Sequence, residues 1–319
     1  MDWRSRLTTY LAGKLPSAER VEIVRVRHMP AGASNETVGL DAEVECDGRS
    51  FIVPLVFRPQ RRGGILAPYD VSRQFRVMRA LQATPVPVPP TLWYEPDESV
   101  FGAPFFFMRR IEGETLPLFW YGSRSPRLYS IAEALAEVHR VDWQRRRLDF
   151  LLDGAAPASP VEAELAAWRT RHERAGLAGH GLSDELYAYL VRNEPADARL
   201  AMLHGDPNPG NYLVQGDDVA AVLDWELAAI GDPRSDLGFY AALLTIFTGA
   251  RPERGHTVLS AAYTEVTGET LANLDYYEAV GLYKMAVVMA GWMGSVSMGY
   301  GLEAITSRLS ELLGPRWAA

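Results

Sequence analysis

Leu203-His204-Gly205-Asp206-Pro207-Asn208-Pro209-Gly210-Asn211-Tyr212-Leu213-Val214, followed eight residues on by Val222-Leu223-Asp224-Trp225-Glu226, is the stretch on which this sequence turns. Two prolines and two glycines make 205–210 a rigid loop rather than helix or strand, a firm mount for a reactive side chain. Residues 212–215 and 219–223 read as short strands joined by Gly216-Asp217-Asp218, a hairpin centred between 217 and 218. About that centre Asn211 and Asp224 are equidistant, and antiparallel pairing sets them side by side at the open end. A side-chain carbonyl beside a carboxylate is what Mg²⁺ takes from a protein when substrate phosphates and water complete its octahedron. Asn211 and Asp224 are therefore the candidate metal ligands.

Asp206 stands five residues before Asn211, and Asp224 thirteen after it. This is the spacing of a kinase catalytic loop and its metal-binding Asp, where the first Asp orients the attacking hydroxyl and takes its proton. Asp206 is the candidate catalytic base. With the loop written His204-Gly205-Asp206 and the metal segment Asp224-Trp225-Glu226, the sequence resembles the aminoglycoside phosphotransferase and choline kinase-like family. Gly231-Asp232-Pro233-Arg234-Ser235-Asp236-Leu237 matches that family's next motif, and the resemblance implies that Asp236 anchors the catalytic-loop backbone. His204 and His139 read as structural, since Asp206 already supplies the base.

The resemblance reaches the first part of the chain. Ala31-Gly32-Ala33-Ser34-Asn35-Glu36-Thr37 stands where the family has its phosphate-covering loop, which implies nucleotide contacts at Gly32, Ser34 and Asn35 through backbone N–H groups. Val56-Phe57-Arg58-Pro59 aligns with the strand whose cation, usually lysine, holds the α- and β-phosphates. Arg58 takes that place, as in the branch resembling kinase-like domains fused to acyl-CoA dehydrogenases; Arg61-Arg62-Gly63-Gly64 and Ser72-Arg73-Gln74-Phe75-Arg76 also match that branch. Gln74 stands where the family has a glutamate that pairs with the strand cation, so the ion pair is missing or another acid replaces it. Phe106-Phe107-Met108-Arg109-Arg110-Ile111-Glu112-Gly113 matches the hinge, implying that the backbone at Arg109 and Ile111 receives adenine.

Around these motifs the chain changes character near position 110. Before it, 21–26, 38–44 and 51–57 read as strands, with Asp47-Gly48 as a turn, 70–82 as an amphipathic helix, 84–90 as an extended proline-rich connector and 101–108 as a further strand. After it, helical patterns dominate. Ser130 with Glu133 suggests a capping box opening a helix, 151–160 a surface loop, and 161–175, 183–193, 257–266 and 276–313 amphipathic helices. The expected architecture is α+β: a bilobal protein-kinase-like fold with a small β-rich N-lobe carrying one helix (1–111, nucleotide-binding) and a larger α-helical C-lobe (112–319, catalytic and acceptor-binding).

Composition narrows the partners. The 319 residues are 48% hydrophobic and carry a net charge of −8, which argues against a non-specific nucleic-acid binder. One cysteine, Cys46, forms no internal disulfide, and the opening residues lack a secretory signal, so the expected location is cytoplasmic. The uncharged run 285–302 approaches the length of a membrane span, but four glycines and two serines within it favour a buried helix over a membrane contact. The expected function is an ATP-dependent small-molecule kinase, with GTP as the alternative donor, Mg²⁺ as cofactor and a hydroxyl of a metabolite or antibiotic as acceptor. A catalytically weak nucleotide-binding regulator of the same fold is the alternative, resting on Gln74. Asp-Phe-Gly and Ala-Pro-Glu markers of a protein kinase are absent from the sequence.

Overall fold

The computed structural model describes residues 2–28, 37–61, 70–117, 124–152, 159–174 and 181–317. The chain forms two compact units, 1–79 with 89–112 and 80–88 with 113–319.

The first unit runs α1 (Trp3–Lys14), β1 (Arg20–His28), β2 (Val38–Cys46), β3 (Arg49–Pro59), α2 (Val71–Leu81, whose last two residues belong to the second unit), β4 (Thr91–Glu95), α3 (Glu98–Phe101) and β5 (Phe105–Arg109). The strands form one antiparallel sheet in the order β1-β2-β3-β5-β4. Asp47 and Gly48 both take positive φ, 51° and 68°, as a two-residue hairpin turn requires. Side chains alternate across a strand: Leu40, Ala42, Leu55, Phe57, Phe105 and Phe107 meet Leu7 and Leu11 of α1 in one core. Arg58 falls on the other face, opposite Phe106 in register, and Phe106 packs against Phe75 of α2 with ring centroids 5.8 Å apart. The expected strand over 101–108 is shorter: Asp97 caps α3, Gly102 at φ 86° ends it, and the strand starts only at Phe105.

The second unit contains β6 (Glu114–Thr115), α4 (Pro126–His139), α5 (Pro160–Arg174), α6 (Gly181–Arg192), β7 (Ala201–Leu203), β8 (Tyr212–Gln215), β9 (Asp218–Val222), β10 (Ala229–Gly231), α7 (Arg234–Thr248), α8 (Val258–Thr267) and α9 (Leu274–Leu313). The expected capping box at Ser130 is not formed. α4 opens five residues earlier on Ser125, with Pro126 in its first turn, because a proline there gives up no needed N–H. Ser130 instead accepts the Val219 amide of β9 at 2.9 Å. The expected loop at 151–160 falls mostly outside the described residues. α7 is buried without interruption from Arg234 to Thr245 and packs against α9, where two ion pairs are sealed in: Lys284 with Glu164 of α5 at 2.6 Å, and Arg308 with Glu278 at 2.7 Å. Among the described residues no helix is long and apolar enough to cross a membrane.

Candidate active site

The loop between β7 and β8 carries Asp206. Gly205 at φ 86° turns the chain there, and a Cβ on it would lie 2.0 Å from the Leu227 carbonyl oxygen, so only glycine fits. Asn208 accepts the Gly210 amide through its side chain (3.1 Å), shaping a single 3₁₀ turn, Pro209–Asn211, ahead of β8. Asn211 then turns its side-chain nitrogen onto Asp206, 2.9 Å from the carbonyl oxygen and 3.0 Å from Oδ2. The side-chain carbonyl of Asn211 is the atom that would face a metal, since its nitrogen is committed to Asp206.

The hairpin differs in register from the expected one. Gln215 pairs with Asp218 across a two-residue Gly216-Asp217 turn, and a bulge opposite Leu213 and Val214 absorbs one extra residue of β9. Asn211 therefore lies opposite Leu223, whose amide donates to the Asn211 carbonyl at 2.7 Å, and Asp224 is one residue beyond. Asp224 adopts a left-handed conformation (φ 60°, ψ 63°), and its carboxylate does not cap the 3₁₀ turn that follows.

Beneath the loop lies a buried polar network. Asp236, fully buried near the start of α7, accepts the amides of His204 (2.8 Å) and Gly205 (2.9 Å) and meets His139 Nε2 at 3.0 Å; His139 Nδ1 meets the Tyr263 hydroxyl at 2.9 Å. Burial pushes the Asp236 carboxyl up, but the His139 bond and the nearby positive groups outweigh it and hold it below the usual carboxylate range. His204 Nε2 faces the Leu223 carbonyl (2.8 Å), and its Nδ1 accepts the Asp206 amide (3.2 Å), which fixes the tautomer. One ring thus ties the residue preceding Asp224 to the backbone of Asp206. Asp206 is partly buried; burial and then the neighbouring Asp224 carboxylate push its carboxyl above its ordinary value, against the pull of His204 and Asn211. The Asp224 carboxylate and the Asn211 side-chain oxygen are hard-oxygen donors that would suit a divalent cation, whose charge would offset the repulsion between Asp224 and Asp206.

In the first unit, Arg58 is largely buried on β3 and donates to Thr37 Oγ1 at 3.3 Å; Gln74 is buried on α2. The Arg109 amide donates to the Pro90 carbonyl at 2.8 Å, whereas the Ile111 amide has no acceptor among the described residues. Gly32, Ser34 and Asn35 lie outside the described residues. Sequence reasoning passed over Tyr263 and Lys284, whose charge reaches Asp206 and Asp236 from α9. Neither has a local motif, and only the tertiary fold brings them near.

Comparisons with known proteins bear on the family and the fold. Residues 25–274 match the model of the phosphotransferase enzyme family. Acyl-CoA dehydrogenase family member 11 of Gallus gallus is 27% identical over 97% of this chain and 42% of its own length, and that of Homo sapiens is 27% identical over 86% and 36%. The chain thus spans about two-fifths of the length of these relatives. Among solved structures, macrolide 2′-phosphotransferase MphH from Brachybacterium faecium superposes with a TM-score of 0.56 at 21% identity, covering 97% of this chain and 98% of that one. The fold is that of the aminoglycoside phosphotransferases, and the chain belongs to the phosphotransferase enzyme family.

Proposed function

We propose that the protein transfers the γ-phosphoryl group of ATP to the hydroxyl of a small molecule, with Asp206 accepting the hydroxyl proton. The observation that carries this is the hydrogen bond from Asn211 to Asp206 together with the Asn211–Leu223 backbone bond, which gathers the base and both metal-ligand candidates at one hairpin end. Asp206, held above an ordinary carboxylate by burial and the neighbouring Asp224, has the raised proton affinity that such a task calls for. Asn211 and Asp224 would hold Mg²⁺, which supplies neutralisation of phosphate charge when bound. The first unit supplies Arg58 for the α- and β-phosphates, Gly32, Ser34 and Asn35 to cover them, and the Arg109 carbonyl with the Ile111 amide for the base.

Nucleotide and acceptor classes draw on related structures. An aminoglycoside phosphotransferase APH(4)-Ia has been solved as a ternary complex with ADP and hygromycin B, with a TM-score of 0.57 at 16% identity over 98% of this chain and 99% of that one. The acyl-CoA dehydrogenase relatives favour a hydroxyacyl thioester over an antibiotic as acceptor. ADP release with hydroxyacyl thioesters, aminoglycosides and macrolides, using ATP and GTP, tests the reading: turnover with a hydroxyacyl thioester that Asp206→Ala abolishes supports it, and equal turnover by that variant removes Asp206 as base.

Gln74 favours a second reading, a weak nucleotide-binding regulator, because an amide cannot neutralise Arg58. Gln74→Glu separates the two. A large gain in turnover marks a weakened enzyme, and no turnover in either form marks the regulator.

A further inference from the structure

Arg110 sits between the two residues whose backbone faces the nucleotide base in the reading above, and its own side chain runs the other way. Its amide donates to the Pro54 carbonyl of β3 at 3.1 Å. Its guanidinium passes on to β2, where Nη1 donates to the Leu40 carbonyl at 3.2 Å and Nη2 lies 2.7 Å from Asp41 Oδ1. Both side chains of this ion pair are nearly buried, at 11% and 8% exposure, unlike Arg25 and Arg27, which reach the other oxygen of Asp41 only at 3.7 Å and are about half or more exposed. Asp41 and Pro54 are direct partners in the β2–β3 register, so Arg110 crosses β3 at the pair where proline offers no N–H, and fastens the chain just past β5 to a strand with which β5 does not pair. Arg110 Nε also reaches the exposed Glu112 at 3.4 Å, and a largely buried guanidinium held by a carboxylate at ion-pair distance and by a carbonyl acceptor has few alternative positions, whereas exposed pairs contribute little.

We infer that the Arg110–Asp41 pair sets the position of the Arg109 carbonyl and the Ile111 amide, making Arg110 and Asp41 positioning residues for the nucleotide base. This rests on the nucleotide-binding reading of the 109–111 segment. On that reading the effect belongs to base binding, apart from the residues assigned to the phosphates and to proton transfer.

The test uses the full chain with Asp41→Asn, Arg110→Met and the milder Asp41→Glu and Arg110→Lys, which keep the charges should the first two fold poorly. KM for ATP and the inhibition constant of adenosine, which has the base but no phosphates, are expected to rise together by about tenfold in the neutralising variants, with kcat and the acceptor KM kept within about twofold. Asp41→Glu and Arg110→Lys should show smaller rises of the same kind, and Arg25→Ala and Arg27→Ala none. A fall in kcat or melting temperature with both nucleotide constants unmoved, in whichever variants fold, would overturn the inference while leaving the nucleotide reading intact. Wild-type protein that binds neither ATP nor adenosine would overturn that reading and this inference with it.

Discussion

Asp236 spends both carboxylate oxygens on holding other groups: the His204 and Gly205 amides and the His139 ring. Asp236→Ala would strand two buried amides and a histidine, and a loss of about 3–5 kcal/mol in urea unfolding is expected, in the range for breaking a buried charged contact. His139→Phe tests the far side of the same carboxylate; it removes the bonds to Asp236 and to the Tyr263 hydroxyl but leaves both amides satisfied, so its loss should be smaller. Asp206 differs in kind. Asp206→Ala is expected to lower kcat by about 10³-fold, within the span of general-base contributions, and to leave ATP affinity nearly unchanged. Spacing alone singled out Asp206 and Asn211, because five residues across a proline-braced loop leave little freedom. Asp224 was located one residue off its partner, since a bulge has no signature in a hairpin of ordinary residues.

At the scale of elements, α7 and α9 are packed on backbone. A Cβ on Gly238 would lie 2.1 Å from the Tyr277 carbonyl oxygen, and one on Gly281 would lie 2.7 Å from the Gly238 oxygen. Gly238→Ala should therefore force the helices apart and cost about 3 kcal/mol in stability, read as a lower urea midpoint with an unchanged slope. Amphipathic helices such as α2, α8 and the C-terminal part of α9 were legible because one face is apolar and the other is not. α7 escaped since every face is buried, which erases periodicity. α1 escaped for the opposite reason: only Leu7 and Leu11 are buried, too few to make a stripe. The start of α4 was misplaced because Ser130, a good cap by type, serves β9 instead.

For the whole molecule, acid stability follows from its buried carboxylates. Burial pushes Asp232 up, but the Arg234 side chain and the amides of Arg199 and Arg234 outweigh it, so Asp232, like Asp236, titrates below its ordinary value. A depressed carboxyl stabilises the fold fully above its unfolded pKa of about 4, and that contribution is lost as pH falls through the folded value. Urea midpoints should accordingly drop steeply below about pH 4, with Asp232→Asn starting lower at neutral pH and falling less. The β-rich and helical halves were visible from composition and pattern, whereas the network of Tyr263, His139 and Asp236 joins residues some 30 to 120 positions apart and had no local signal. The central claim is that Asn211 and Asp224 hold a metal through which nucleotide binds. Calorimetric titration of ATP with and without Mg²⁺ into the wild type and Asp224→Asn tests it most directly: Mg²⁺-dependent binding that the variant loses is the expected result, and equal binding without Mg²⁺, or Mg²⁺ dependence retained in the variant, would contradict it.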